Sequence, residues 1–336
     1  MQRLAATLFS VAALIAPAIA HAADYKVVDR IKVPDGGFDY AVFDANRSRV
    51  YMARPDYTTV VDAKTHAVSQ LSSASGGHML LAIPGSSLGL LPQRNGAIRL
   101  VDIVTDMVVA DFPTGGDPDA AVYDPLTKLV FVVNKGTGDT SVVDPFKRKV
   151  VETIPVGGTL QFPASDGRGH VFVNSESAPE IAVIDVRSLK VTGRYKLDGC
   201  TGASGLAYDA EARLLISGCL NGMVKVLDAA TGREVASLPI GSGPDATFYD
   251  AERHVALIPC GGDGVLEVIS LADPKHISVV QHVPTQQGSR TGTVDPQTGL
   301  VYLMASMPDT SKPAPKGGRI PRLAGSFEVL VVSPGP

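Results

Sequence analysis

Tryptophan is absent from this 336-residue chain, aromatic residues make up only 6% of it, and cysteine occurs three times. Without the largest side chain, a core has to be assembled from Val, Ile, Leu, Phe and Tyr. The cysteines form no Cys-x-x-Cys-His, so covalent attachment of a c-type haem is excluded. No aromatic or adjacent-Cys feature points to a free-standing quinone, which leaves a redox-partner role without a cofactor. Neither sign of charge is in large excess: 30 Lys and Arg face 34 Asp and Glu, for a formal net charge of -4. That balance carries no general nucleic-acid footprint. Long apolar runs are missing beyond Leu4–Ile19, and no later stretch is long enough to cross a bilayer. Helical periodicity is scarce as well.

A repeated module is what the chain does have. Its clearest copy runs Val130-Phe131-Val132-Val133-Asn134-Lys135-Gly136, then Thr140-Ser141-Val142-Val143-Asp144, then Lys149-Val150-Val151-Glu152-Thr153-Ile154-Pro155-Val156-Gly157. The third strand of each copy ends in an apolar pair followed by Asp62, Asp102, Asp144, Asp185, Asp228, Ser270 or Ser333, a spacing of about 41 residues until the last. First strands end at Asp44, Pro84, Asp124, Asp166, Asp209, Asp250 and Asp295. Both landmarks give seven copies. Each copy reads as four short alternating strands, too small to bury a core alone. The expected fold is an all-β, seven-bladed β-propeller of four-stranded antiparallel blades. The last module stops after its third strand, and Lys26-Val27-Val28-Asp29-Arg30-Ile31 copies the fourth-strand pattern. The N-terminal strand is therefore expected to complete the last blade and protect its edge.

Met1-Gln2-Arg3, the apolar run and Ala20-His21-Ala22 read as a secretory leader cut after Ala22. Residues 23–336 then form one propeller domain, periplasmic or secreted and monomeric, with an insertion loop at about 308–324 in blade 7.

The segment from Asn134-Lys135-Gly136 through Ser141-Val142-Val143-Asp144 to Ile154-Pro155-Val156-Gly157 resembles the YVTN β-propeller repeat family, which includes YncE-like periplasmic proteins. The resemblance covers nearly all of the mature chain, with blades 2, 4 and 7 matching loosely. It implies a seven-bladed exported propeller and supplies no catalytic motif. WD40 repeats fit poorly because tryptophan is absent.

Antiparallel strands put the loop leading into strand one and the loop between strands two and three on one face, here called the top. Bottom turns such as Asp62-x-x-Thr65, Asp102-x-x-Thr105, Asp124-Pro125-x-Thr127 and Asp228-x-x-Thr231 read as turn formers rather than acid/base groups. Five residues before each first-strand landmark lie Asp39, Met79, Asp119, Gln161, Ser204, Asp245 and Arg290, expected around the mouth of the central channel with His78 beside Met79. Asp39, Asp119 and Asp245 either cap loops after Gly-Gly or Gly-Pro or face a ligand. Arg54, Arg94 and Lys135 share one repeat position in blades 1, 2 and 3, either as solvated loop cations or as an arc over the funnel. The Pro- and Gly-rich insertion, with four cations and one acid between Pro308 and Arg322, is expected to hang over the funnel near Arg290 without a strand of its own.

Cys200 and Cys219 fall on adjacent top segments of blade 5 and are expected to pair, leaving Cys260 as a buried thiol. His170 and His254 are expected at the bottom surface. No histidine pair shows metal-ligand spacing, so no metal or other cofactor is expected. These features point to a binding scaffold whose funnel takes a small anion, a peptide or an exported protein. The alternative is a lactonase- or hydrolase-type enzyme with a central divalent cation held by oxygens of Asp39, Asp119, Asp245, Asn134 and Glu176.

Overall fold

The computed structural model describes residues 24–313 and 320–335. The expected leader, residues 1–22, and the middle of the blade 7 insertion lie outside them.

Seven four-stranded antiparallel sheets make up the described chain. In blade 3 the order from axis to periphery is Pro118–Asp124, Leu129–Asn134, Asp139–Asp144 and Lys149–Pro155. The two middle strands are buried almost throughout, because both of their faces pack against neighbouring blades. The outer strand alternates buried and exposed positions, as an edge with one wet face should. Six blades take their strands in sequence order. Blade 7 is composite, since Lys26–Lys32 pairs antiparallel with Glu328–Ser333 as its outermost strand. The joint is reinforced where the Tyr25 hydroxyl donates to Asp250 Oδ2 at 3.0 Å in blade 6.

The core lies between blades rather than within them. Ile31, Val329 and Tyr302 of blade 7 pack with Val50, Met52 and Val61 of blade 1. Burial of this kind contributes about 1.5–3 kcal/mol per large aliphatic side chain, and it is available only when modules stand side by side.

Bottom turns follow one formula. Asp124 Oδ2 accepts from Thr127 N at 2.8 Å and from Thr127 Oγ1 at 2.7 Å. The following residue, Lys128, is left-handed at φ 61 and donates its N–H to the Asp124 carbonyl. His66 and Arg148 hold the same left-handed position after Asp62 and Asp144. This is a type I turn closed by one left-handed residue, matched to the strand twist. A β-bulge in the outer strand pair also recurs, for example between Val142 and Val143 and between Val183 and Ile184. It adds twist to strands that must fan outward.

Cys200 and Cys219 are disulfide-bonded with their Cα atoms 5.5 Å apart, and Cys260 is free and buried. Burial pushes the Cys260 thiol well up, with Glu267 and Asp263 adding to the effect. That is the setting of an inert thiol.

Candidate functional site

The top of the channel opens into a polar cavity of about 690 Å³. Its wall includes Asp39, His78, Arg94, Asp119, Lys135, Gln161, Asp245 and Arg290. Six blades thus contribute the residues that their repeat position marked out. Local backbone irregularity helps to aim them. Pairing of the first and second strands slips between Pro118 and Ala120 in blade 3, freeing Asp119 from the ladder. It slips again between Leu160 and Pro163 in blade 4. There Gln161 turns up into the funnel while Phe162 turns down. Bulges are a common way to redirect a side chain toward a site.

Below the funnel lies a second cavity of about 320 Å³, lined by Phe43, Met79, Phe162, Phe248 and other mostly apolar groups. Tyr40 borders both spaces. Its ring meets Phe162 edge-on at 5.2 Å, and its hydroxyl donates to Gln161 Oε1 at 3.4 Å. Gln161 Nε2 donates to Glu176 Oε2 at 2.6 Å, and Lys135 Nζ donates to the same oxygen at 2.8 Å. A relay of polar contacts therefore climbs from floor to rim across blades 1, 4 and 3.

The floor is dominated by carboxylates. Asp39 Oδ2 lies 2.8 Å from His78 Nδ1 and accepts from Arg94 Nη2 at 2.8 Å. Burial alone would raise its pKa, but His78 and Arg94 outweigh burial and hold it below the usual range. His78 is raised: burial opposes its charge, and Asp39 and Asp119 more than compensate. Asp245 Oδ2 accepts from Arg290 Nε at 2.7 Å, and that guanidinium lies 5.5 Å from the Phe38 ring centre. A Cβ at Gly261 would come within 2.7 Å of the Arg290 Cβ, so glycine lets blade 6 approach this residue. Asp119 differs from its neighbours. It is 7% exposed, and among the described residues nothing hydrogen-bonds to its carboxyl. Burial pushes its pKa up to about 7; His78 pulls it down and Asp39 pushes it further up.

Some expected positions lie elsewhere. Arg54 does not line the funnel and does not complete the arc with Arg94 and Lys135. It is 4% exposed, bonded to the Pro34 carbonyl, with its guanidinium 5.8 Å and 5.6 Å from the Tyr57 and Phe327 ring centres. Rings from two distant segments gave the cation an aromatic slot. Met79 points into the lower cavity and accepts Ala121 N on its sulfur. Ser204 is buried and donates to the Pro244 carbonyl. Asn134 is a structural clasp, donating to Asp139 Oδ1 and Ser141 Oγ at 2.6 and 3.0 Å, so it is not an oxygen donor to the funnel. Among the described residues no group of three His, Cys, Asp or Glu side chains is arranged to hold a metal ion.

Sequence reading did not place Tyr40 or Asp117 in the funnel, it named Glu176 only as a cation ligand, and it expected Arg322 there only as part of the insertion. Arg322 belongs to the insertion, whose base is clasped by an isolated bridge between Pro308 and Arg322. Glu176 was findable, because it holds in blade 4 the repeat position of Arg94 and Lys135.

Solved structures of similar fold include one titled as the crystal structure of the mitotic checkpoint complex. It superposes with a TM-score of 0.76 at 12% identity, covering 99% of this chain and 98% of that one. A Kuenenia stuttgartiensis hydrazine synthase chain gives 0.72 at 15%, covering 81% and 94%. The chain is a seven-bladed β-propeller. At these identities the likeness concerns fold alone. No family model matches the sequence, and no curated protein matches it.

Proposed function

We propose that the protein is an exported propeller of the YVTN type that acts as a binding scaffold, taking a small polar ligand or a peptide into its top funnel. The observation carrying this reading is the convergence of unlike polar groups from six blades on one cavity large enough for a small ligand. Repetition alone would produce a uniform ring. Instead the bottom turns repeat and the top does not, which is the pattern of a rigid scaffold carrying a specialised surface.

Cations at the rim support recognition of an anionic group. Arg94 is half exposed, and Lys135 stands nearby in the next blade. Both already face carboxylates, so a ligand anion would share these cations rather than meet them bare.

A thermal-shift screen with short peptides and dicarboxylates tests the reading. A ligand in hundredfold excess over its Kd should stabilise the protein by about 2.7 kcal/mol. Arg290→Ala should cut the shift while leaving the unliganded melting profile cooperative. A ligand that shifts wild type and Arg290→Ala equally binds outside the funnel and refutes the proposal.

A further inference from the structure

We infer that the floor of the funnel is a site for a peptide N-terminus, with Asp119 accepting from the α-ammonium group and His78 donating to the adjacent carbonyl oxygen. This deepens the binding reading above and rests on it.

Three observations converge. First, Asp119 is more than nine-tenths buried, borders the funnel, and receives no hydrogen bond among the described residues. Its nearest cation, His78 Nδ1, stands 3.3 Å away but lies closer to Asp39 at 2.8 Å. A buried carboxylate without donors is costly unless it takes a proton or meets a cation. Second, His78 Nε2 is buried without a hydrogen-bond partner, the nearest acceptor being Asp117 Oδ1 at 3.5 Å. With Nδ1 turned to Asp39, Nε2 carries a proton in the imidazolium form and lacks an acceptor. Third, the funnel gathers three carboxylates, and while Asp39 is bonded to His78 and Arg94 and Asp245 to Arg290, Asp119 is the one of the three that no cation hydrogen-bonds among the described residues. An entering ammonium meets attraction there, and three N–H donors suit Asp119 better than a divalent ion does, since no triad of ligands accompanies it.

The groups facing Asp119 set its pH behaviour. His78 and Lys135 favour its anion, while Asp39 and Asp245 oppose it. Unliganded, it holds a proton up to about pH 7. Binding an ammonium requires the anion, so below that pH binding releases a proton. A peptide α-amine loses its charge near about pH 8. Affinity should therefore rise from pH 5 to a maximum between these limits and then fall.

The test is calorimetric titration with trialanine, N-acetyl-trialanine and propylamine, with calcium chloride as a separate arm. Trialanine should bind, and acetylation should weaken it by about tenfold or more, the worth of a charge-assisted hydrogen bond. Propylamine should bind more weakly than trialanine, because it brings no carbonyl. At pH 6 the trialanine heat should differ between MES and Bis-Tris buffers, reporting proton release by the wild-type protein. Asp119→Asn should lose about tenfold in affinity and flatten the acid limb. If N-acetyl-trialanine binds as well as trialanine, the ammonium site is refuted while the funnel reading stands. Calcium binding without trialanine binding refutes it in favour of a metal site. If no peptide or dicarboxylate binds at all, both readings fall.

Discussion

On the bottom face, Asp62, Asp102, Asp185 and Asp228 each accept backbone N–H bonds from residues two and three positions on, whereas Asp119 at the top receives none among the described residues. The same side chain has opposite electrostatic fates. Backbone and hydroxyl donors hold the bottom carboxyls below their usual range, Asp102 at about 2, while burial lifts Asp119 to about 7. One group is spent on the fold, and the other is left with unmet bonding capacity where a ligand can reach it. Unmet bonding capacity, more than residue type, marks Asp119 out, since Asp39 in the same funnel is held low by His78 and Arg94.

The largest effect that sharpens this contrast is expected at Asp124. It is fully buried and collects Thr127 N, Thr127 Oγ1 and, from blade 4, Ser165 Oγ at 2.7 Å. Asp124→Ala strands these donors and unties a link between blades 3 and 4. Urea unfolding should show a loss of about 3 kcal/mol. A loss no larger than for an exposed surface substitution would mean that the turn aspartates are dispensable.

Next in size is the response to acid. Asp62, Asp102 and Asp185 have depressed folded pKa values, mainly through hydrogen bonds from Thr65, Ser87 and Ser188 respectively. Their stabilisation is present above the unfolded value near 4 and is lost as pH falls toward 2. Asp119 and His78 are raised in the fold, so their contribution is present at low pH and fades as pH rises through their folded values. The two sets work against each other, and the melting temperature should peak at about pH 5. A melting temperature still climbing between pH 6 and 8 would contradict the assignment of Asp119.

How much of this was legible in the sequence follows from what repeats. Strand number, blade order and ring closure could be read because every module repeats the same apolar pairs and turn aspartates. Ring positions such as Asp119 and Arg290 could be read because each first strand starts beside the axis, although the same offset in blades 2 and 5 gives Met79 and Ser204, which do not face the funnel. Arg54 escaped because its surroundings come from Pro34, Tyr57 and Phe327, and Phe327 lies in another module with no repeat relation to Arg54. The division of labour between Gln161 and Phe162 escaped for another reason: a bulge sends successive residues to opposite cavities, and spacing does not show bulges. Tyr40, between the two cavities, was hidden because it looks like one more alternating aromatic.

The smallest effect expected is also the most discriminating. Folded Asp119 keeps its proton up to about pH 7, while the unfolded chain releases it near pH 4. Across that interval the folded state binds more protons, so stability falls as pH rises, and the deficit persists above it. Asp119→Asn removes the titration but keeps the shape. The variant should match wild type at pH 4 and melt about 2 °C or more higher at pH 8. Saturating trialanine at pH 8 should reverse the order, because only the wild-type carboxylate gains a partner. That would make Asp119 a residue whose retention costs the empty fold and serves the bound one. A variant that melts lower than wild type at pH 8 without peptide would place Asp119 with the bottom-face aspartates, as a satisfied structural group.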